Sequence, residues 1–193
     1  MIVTRRLEIP DPEAMHALGI DLAAELRAGD LVVLTGPLGA GKTTFTRGLG
    51  AGLKVRGAVT SPTFVLARTH PSTVGGPPLV HVDAYRLPGA VELDDLDIDF
   101  AGSIVVVEWG RGLLDGITDS WLDIEIERPT GAAESAGEAK ATDAAADVGS
   151  DPVTGIAPDT GLYLDTRLDL DADEPRTVTI AAHGPRWADS AVG

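Results

Sequence analysis

Residues 31–49, LVVLTGPLGAGKTTFTRGL, constrain the fold of this chain more than any other stretch. A five-residue apolar, β-branched run ends in a glycine-rich loop, and a helix-compatible segment begins at Lys42. Gly36-Pro37-Leu38-Gly39-Ala40-Gly41-Lys42-Thr43 fits the pattern G-x-x-x-x-G-K-[ST]. Its glycines let successive backbone N–H groups turn inward around a phosphate, in backbone conformations that a Cβ would block. A helix starting at Lys42 aims the positive end of its dipole at the same place. Lys42 is then placed to reach the β- and γ-phosphates of a nucleotide, and the Thr43 hydroxyl to ligate Mg²⁺. The expected phosphate-binding set is Gly36, Leu38, Gly39, Ala40, Gly41, Lys42, Thr43 and Thr44. A chance glycine turn is the plainer alternative, and the strand before the loop and helix after it set that aside.

Two more apolar runs end in an acid: LVHVD (79–83) and SIVVVEWG (103–110). In an open parallel sheet the carboxyl ends of the strands line the ligand crevice. Asp83 and Glu108 are therefore expected to hold Mg²⁺, directly or through water, and to orient an attacking water. One acid at a strand end is commonly a solvated turn residue; a pair flanking a phosphate loop reads as a site. Thr63, in the turn TSPTF (60–64), occupies the place where phosphate-loop switches put a nucleotide-sensing threonine. An ordinary proline turn explains it equally well. Trp109 follows Glu108 as either a core side chain or a lid on the site. His81 reads as a packed strand residue, and Tyr85 and Arg86 as surface.

Elsewhere, IVTRRLEI (2–9) predicts a strand. Asp11 then reads as an N-cap with Pro12 at the first helical position. Met15, Leu18, Leu22 and Leu26 follow at helical spacing, with Gly29 as the stop. The helix after the phosphate loop carries Gly48, Gly50 and Gly52, which should weaken its far end. TSPTFVLART (60–69) reads as a turn and a strand, and the segment AVELDDLDIDF as a short acidic helix with its exit. WLDIEIER (121–128) and RTVTIAAH (176–183) alternate cleanly and are expected to pair at one end of the sheet. The predicted fold class is a phosphate-loop α/β domain spanning 1–193, a mostly parallel sheet flanked by helices.

Composition narrows the function classes. The formal charge is −15, and residues 129–175 hold eleven Asp and Glu against Lys140 and Arg167. Such a chain repels phosphate backbones, so direct binding of DNA or RNA is not expected, whereas a basic protein partner is compatible. There is no cysteine, hence no disulfide and no thiolate chemistry. The start MIVTRRLEIP lacks the apolar core of a signal peptide, and no apolar run is long enough for a membrane span, so the expected location is cytoplasmic with no membrane partner. Residues 129–173 are acidic and of low complexity, poor in large apolar residues until their end, and read as a disordered insertion before the last strand.

Taken together, GPLGAGKTTFTRGL, TSPTFVL, HVDAYRL with VELDDLDI after it, and VVVEWG resemble, in order and spacing, the TsaE family (also written YjeE). The likeness runs from about residue 5 to 128 and resumes near 174–187; the 129–173 insertion departs from the compact members. The resemblance implies an ATPase that assists the bacterial complex making threonylcarbamoyladenosine at position 37 of tRNA. It implies ATP and Mg²⁺ as cofactors, bound by Lys42 and Thr43, with Asp83 and Glu108 supporting metal binding and hydrolysis. Thr63 would belong to a switch-like loop, and Trp109 would lie beside the nucleotide. The implied partners are TsaD and TsaB, with tRNA reached only through them and hydrolysis resetting the complex between turnovers.

A small-molecule kinase and a nucleotide-dependent scaffold without meaningful hydrolysis are the alternatives. A kinase needs an arginine-bearing lid over the phosphates, and here the nearest arginine loop, GRG (110–112), is short. A GTPase is disfavoured because the chain contains no Asn for the guanine-reading N/T-K-x-D. The insertion gives a separate expectation. Ordering a chain costs roughly 1–2 kcal/mol per residue of backbone, and residues 130–160 offer little large apolar surface to offset it. Deleting 130–172 and closing with a short glycine-containing turn is expected to preserve folding, ATP binding and partner-stimulated hydrolysis. Retained folding with lost stimulation would instead make the acidic segment a docking element.

Overall fold

The computed structural model describes residues 2–87, 96–112, 117–129, 174–188 and 190. These belong to one compact unit formed by Met1–Pro129 and Leu170–Gly193. The elements in chain order are β1 (Ile2–Ile9), α1 (Pro12–Ala23), β2 (Leu31–Thr35), α2 (Lys42–Gly52), β3 (Ala67–His70), β4 (Leu79–Asp83), β5 (Ile104–Glu108), β6 (Trp121–Glu127) and β7 (Arg176–His183), followed by a 3-10 turn at Pro185–Trp187. The expected insertion at 130–173 lies outside the described residues. So does the first part of the expected acidic helix; its tail, 96–100, is irregular.

The sheet order is β1-β7-β6-β2-β5-β4-β3. The centre, β6-β2-β5-β4, is parallel, and the margins add antiparallel pairings of β1 with β7, β7 with β6 and β3 with β4. The two alternating segments do pair, but β1 lies outside β7 and forms the edge. The sheet is thus mixed, and its parallel part holds the strands that carry the phosphate loop and the two acids, together with β6.

Side-chain alternation along these strands builds two cores. Val32, Leu34, Ile104 and Val106 point to the face covered by α1 and α2, where they meet Met15, Leu22, Phe45 and Leu49. Leu31, Val33, Val105 and Val107 serve the opposite face, against Val80, Val82 and the partly buried Ile98, Phe100 and Trp121. A strand buried on both faces needs an unbroken apolar run. That is why LVVLT and IVVVE carry no polar residue before their ends.

Asp11 caps α1, its Oδ1 accepting the Ala14 N–H at 2.7 Å. The helix stops at Ala23, ahead of the expected Leu26–Gly29 end. Leu26 is still buried, on a turn that closes when the Arg27 N–H donates to the buried Asp30 carboxylate at 2.9 Å. Arg186 from the far end of the chain holds the same carboxylate at 3.1 Å.

The glycines of α2 do not end it early: the helix runs to Gly52, and Gly48, Gly50 and Gly52 each sit at a close contact. A Cβ on Gly48 would lie 2.1 Å from the His16 carbonyl oxygen of α1, and one on Gly19 would lie 2.3 Å from that of Phe45. Gly50 faces Val59 in the same way, and Gly52 faces Ala23. The two helices therefore meet backbone to backbone, which seats the start of α2 at the end of β2. Replacing Gly48 by Ala should lower unfolding stability by about 1–3 kcal/mol, because the overpacked contact outweighs the ~1 kcal/mol gain in helix propensity. Urea denaturation reads this directly. An unchanged or raised stability would mean that the helix contact is not this close.

Candidate nucleotide site

The chain leaves β2 through a loop whose shape depends on glycine. Gly39 and Gly41 have φ of 73° and 108°, values that side-chain-bearing residues rarely adopt. Gly36 is required by space: a Cβ there would lie 2.5 Å from the Ile126 carbonyl oxygen. Gly41 is the N-cap of α2 and offers no side-chain cap, and the first helical turn holds no acid. The N–H groups that open a helix need acceptors, and an uncapped helix start of this kind suits an anion.

Lys42 sits in the first turn and is 6% exposed. Its Nζ donates to the carbonyl oxygens of Gly36 at 2.8 Å and Pro37 at 3.1 Å, and lies 4.1 Å from the centre of the Trp109 ring. Burial pushes its pKa down, and the nearby charges of Glu108 and Asp83 push it back up. Among the described residues it makes no ion pair. A cation held by carbonyls and a ring face, with carboxylates near but not touching, is suited to bind phosphate oxygens.

The two acids come from neighbouring parallel strands and stand level, Asp83 opposite Glu108, with Glu108 also level with Leu34 of β2. Both are nearly buried, at 5% and 4% exposure. Glu108 Oε1 accepts from the Thr43 hydroxyl at 3.3 Å and lies 2.8 Å from His81 Nε2. Asp83 Oδ2 accepts from the Thr63 hydroxyl at 2.7 Å, and Oδ1 from the Tyr85 N–H at 3.0 Å. Since Thr63 spends its proton on Asp83, Ser61, at 2.7 Å, must be the donor to Thr63. Arg86 steadies this turn by donating to the Thr63 carbonyl oxygen.

Trp109 has a φ of 64° and donates its N–H to the Leu34 carbonyl oxygen at 2.9 Å. A left-handed conformation at a bulky residue costs on the order of 1 kcal/mol. Here it ends β5 abruptly and turns the ring back over Lys42. The edge-on Tyr85 ring lies 5.4 Å away.

Leu38, Gly39, Ala40, Gly41, Lys42, Thr43, Thr44, Thr63, Asp83, Glu108 and Trp109 all line one cavity of about 560 Å³, within the usual range of roughly 300–1,000 Å³ for small-molecule sites. Gly36 lies beneath the loop, holding Lys42 through its carbonyl oxygen. Arg47, Ser61 and Tyr85 also line the cavity and were not expected there. For Tyr85 the available signal was its place two residues beyond Asp83. His81 is packed, as the sequence suggested, and also contacts Glu108, which a strand pattern cannot show. No group of three or more His, Cys, Asp or Glu residues able to hold a metal occurs among the described residues. A cation here would need the Thr43 hydroxyl, the two carboxylates and oxygens of the nucleotide, a set of hard donors that suits Mg²⁺.

The family model described as Threonylcarbamoyl adenosine biosynthesis protein TsaE matches residues 9–136. A Streptomyces coelicolor protein named tRNA threonylcarbamoyladenosine biosynthesis protein TsaE is 49% identical over 177 residues, covering 90% of this chain and 94% of the relative. Its namesake in Bacillus subtilis is 38% identical over 119 residues, covering 61% of this chain and 74% of that one. Among solved structures, Bacillus subtilis YdiB superposes with a TM-score of 0.60 at 26% identity, covering 97% of this chain and 90% of that one.

The site makes a separable prediction for two adjacent residues. Lys42→Ala should abolish productive ATP binding, because the other cation lining the cavity among the described residues, Arg47, is tied to the Val59 carbonyl oxygen at 3.2 Å and is not held over the loop. Thr43→Ala should leave nucleotide contact largely intact and impair the gain in affinity from Mg²⁺. Calorimetric titration of ATP with and without Mg²⁺ distinguishes them. An unchanged Mg-ATP affinity in the Lys42 variant would remove the phosphate-loop assignment.

Proposed function

This chain belongs to the TsaE family, a group named for threonylcarbamoyladenosine biosynthesis, and on that premise we propose that it binds and hydrolyses ATP as an accessory subunit of the tRNA-modifying complex. The observation that carries the reading is the meeting, in one cavity, of the glycine loop, the buried Lys42 and two level carboxylates. The loop N–H groups and Lys42 take the phosphates. Thr43, with Asp83 and Glu108, holds Mg²⁺. The ion supplies neutralisation of charge on the phosphate oxygens. Glu108 orients the attacking water, and the Thr63 turn, tied to Asp83, reports whether the γ-phosphate is present.

The rim of the cavity supports a partner closing over it. Leu38, Phe64, Val65 and Tyr85 are exposed, Phe64 at 92% and Leu38 at 72%. Leu38 and Tyr85 line the cavity, and Phe64 and Val65 follow Thr63 directly. Exposed apolar residues gathered at a site mouth mark an interaction surface more often than isolated ones do. TsaD and TsaB are the proposed partners, with hydrolysis resetting their complex between turnovers. At a net charge of −15 the chain would reach tRNA through them. Work in the cytoplasm beside tRNA is part of the same proposal, and no helix among the described residues is long and apolar enough to cross a membrane.

The kinase alternative loses its lid residue. Arg111 donates to Asp123 at 3.2 Å and to Glu125 at 3.1 Å, on β6. That engagement holds the pKa of Arg111 above its ordinary value, chiefly through the hydrogen bond to Glu125.

Asp83→Asn and Glu108→Gln should each leave the fold intact and slow hydrolysis in the complete complex by about 10²-fold or more, as loss of a metal-holding or water-orienting carboxylate does. Phosphate release with TsaD and TsaB present is the assay. Wild-type rates in both variants would show that the two acids do not form the hydrolytic site.

A further inference from the structure

His81 is central in β4 and fully buried, in register with Val106 of β5 and Arg68 of β3. Its Nε2 lies 2.8 Å from Glu108 Oε1, the same oxygen that accepts the Thr43 hydroxyl at 3.3 Å. An ionised carboxylate only accepts hydrogen bonds. The ring must therefore present Nε2–H to Glu108, which in the neutral imidazole leaves Nδ1 as a bare acceptor. Nδ1 is buried and has no hydrogen-bond partner among the described residues.

Packing alone does not call for a histidine with an orphaned nitrogen at position 81. Its neighbours Val80 and Val82 are buried, and an aliphatic side chain at 81 would avoid the cost of an unsatisfied polar atom. The compensating interaction is at Nε2. We infer that His81 is a positioning residue, which clamps Glu108 from inside the sheet so that the carboxylate in turn orients the Thr43 hydroxyl. With its hydrogen directed to Glu108 Oε1, the Thr43 oxygen keeps its lone pairs for a cation. Among the described residues Glu108 Oε2 accepts no hydrogen bond and stays available for water. Orienting partners behind a metal-holding group act in this way on geometry they do not themselves touch. The catalytic consequence rests on the hydrolysis proposed above; the clamp itself does not.

Two measurements keep these apart. In the unliganded protein, without metal or nucleotide, a long-range ¹H–¹⁵N spectrum should show His81 as the Nε2-protonated tautomer; an Nδ1-protonated ring overturns the inference. In the complete complex at saturating Mg²⁺, His81→Leu should lower kcat about 10-fold or more, with KM for ATP changed less than about two-fold, the size typical of a lost orienting partner. The Mg²⁺ concentration for half-maximal enhancement of nucleotide binding should rise by a similar factor. His81→Gln, whose amide can donate from nearly the same place, should recover most of both losses. Placed in the Glu108→Gln background, His81→Leu should cost nothing further in kcat, since the two residues act as one unit. Equal losses in both backgrounds, or a Gln variant no better than Leu, would make His81 a packing residue only. A wild-type complex that releases no phosphate would remove the hydrolysis reading, while the tautomer and the Mg²⁺ dependence would still decide the clamp.

Discussion

A buried ammonium without a counter-charge in contact is the constraint around which this molecule is arranged. Lys42 is almost wholly enclosed, and its Nζ is held by two carbonyl oxygens and the face of Trp109. Its pKa is depressed by desolvation, while Glu108 and Asp83 raise it from a distance. A carboxylate paired directly with Nζ would satisfy the charge and close the site to phosphate. The loop avoids that outcome. Its carbonyls hold the lysine in place, and the uncapped start of α2 adds further positive potential. On the proposed function, the demand for negative charge that this leaves at Lys42 is met by the phosphates of a nucleotide.

Meeting that demand productively requires the acids to stand close but out of contact, and the parallel centre of the sheet does this. β2 delivers the loop, and β5 and β4 deliver Glu108 and Asp83 at the same level beside it. Each carboxylate is then engaged by a residue of the loop or switch turn, Thr43 for Glu108 and Thr63 for Asp83. The backbone contact of α2 with α1 through Gly19 and Gly48 fixes where the helix begins, and so where Lys42 and Thr43 project. Local glycine placement, strand register and cavity electrostatics are in this sense one design.

Much of this was legible in the sequence because the features are local. The phosphate loop, the acids after apolar strands and the Asp11 cap each depend on neighbours within a few residues. What was not legible depends on contacts between distant segments. The glycines of α2 look like helix breakers until α1 is laid against them. Leu26 keeps helical spacing, yet the chain turns at Ala24 because Asp30, held by Arg186, draws the Arg27 N–H into a turn. That β1 would pair outside β7 is equally invisible, since both strands alternate in the same way. His81 reads as packing because a strand pattern reports burial and says nothing of the partner across the sheet.

The proposed function has this cavity turning over ATP under the control of a protein partner at its rim. Steady-state phosphate release from Mg-ATP by the purified chain, alone and then titrated with TsaD and TsaB, tests it most directly. Slow release by the chain alone and a saturable rise as the partners are added are the expected results. Release that is the same with and without them, or absent in both cases while ATP still binds, would contradict the proposed function.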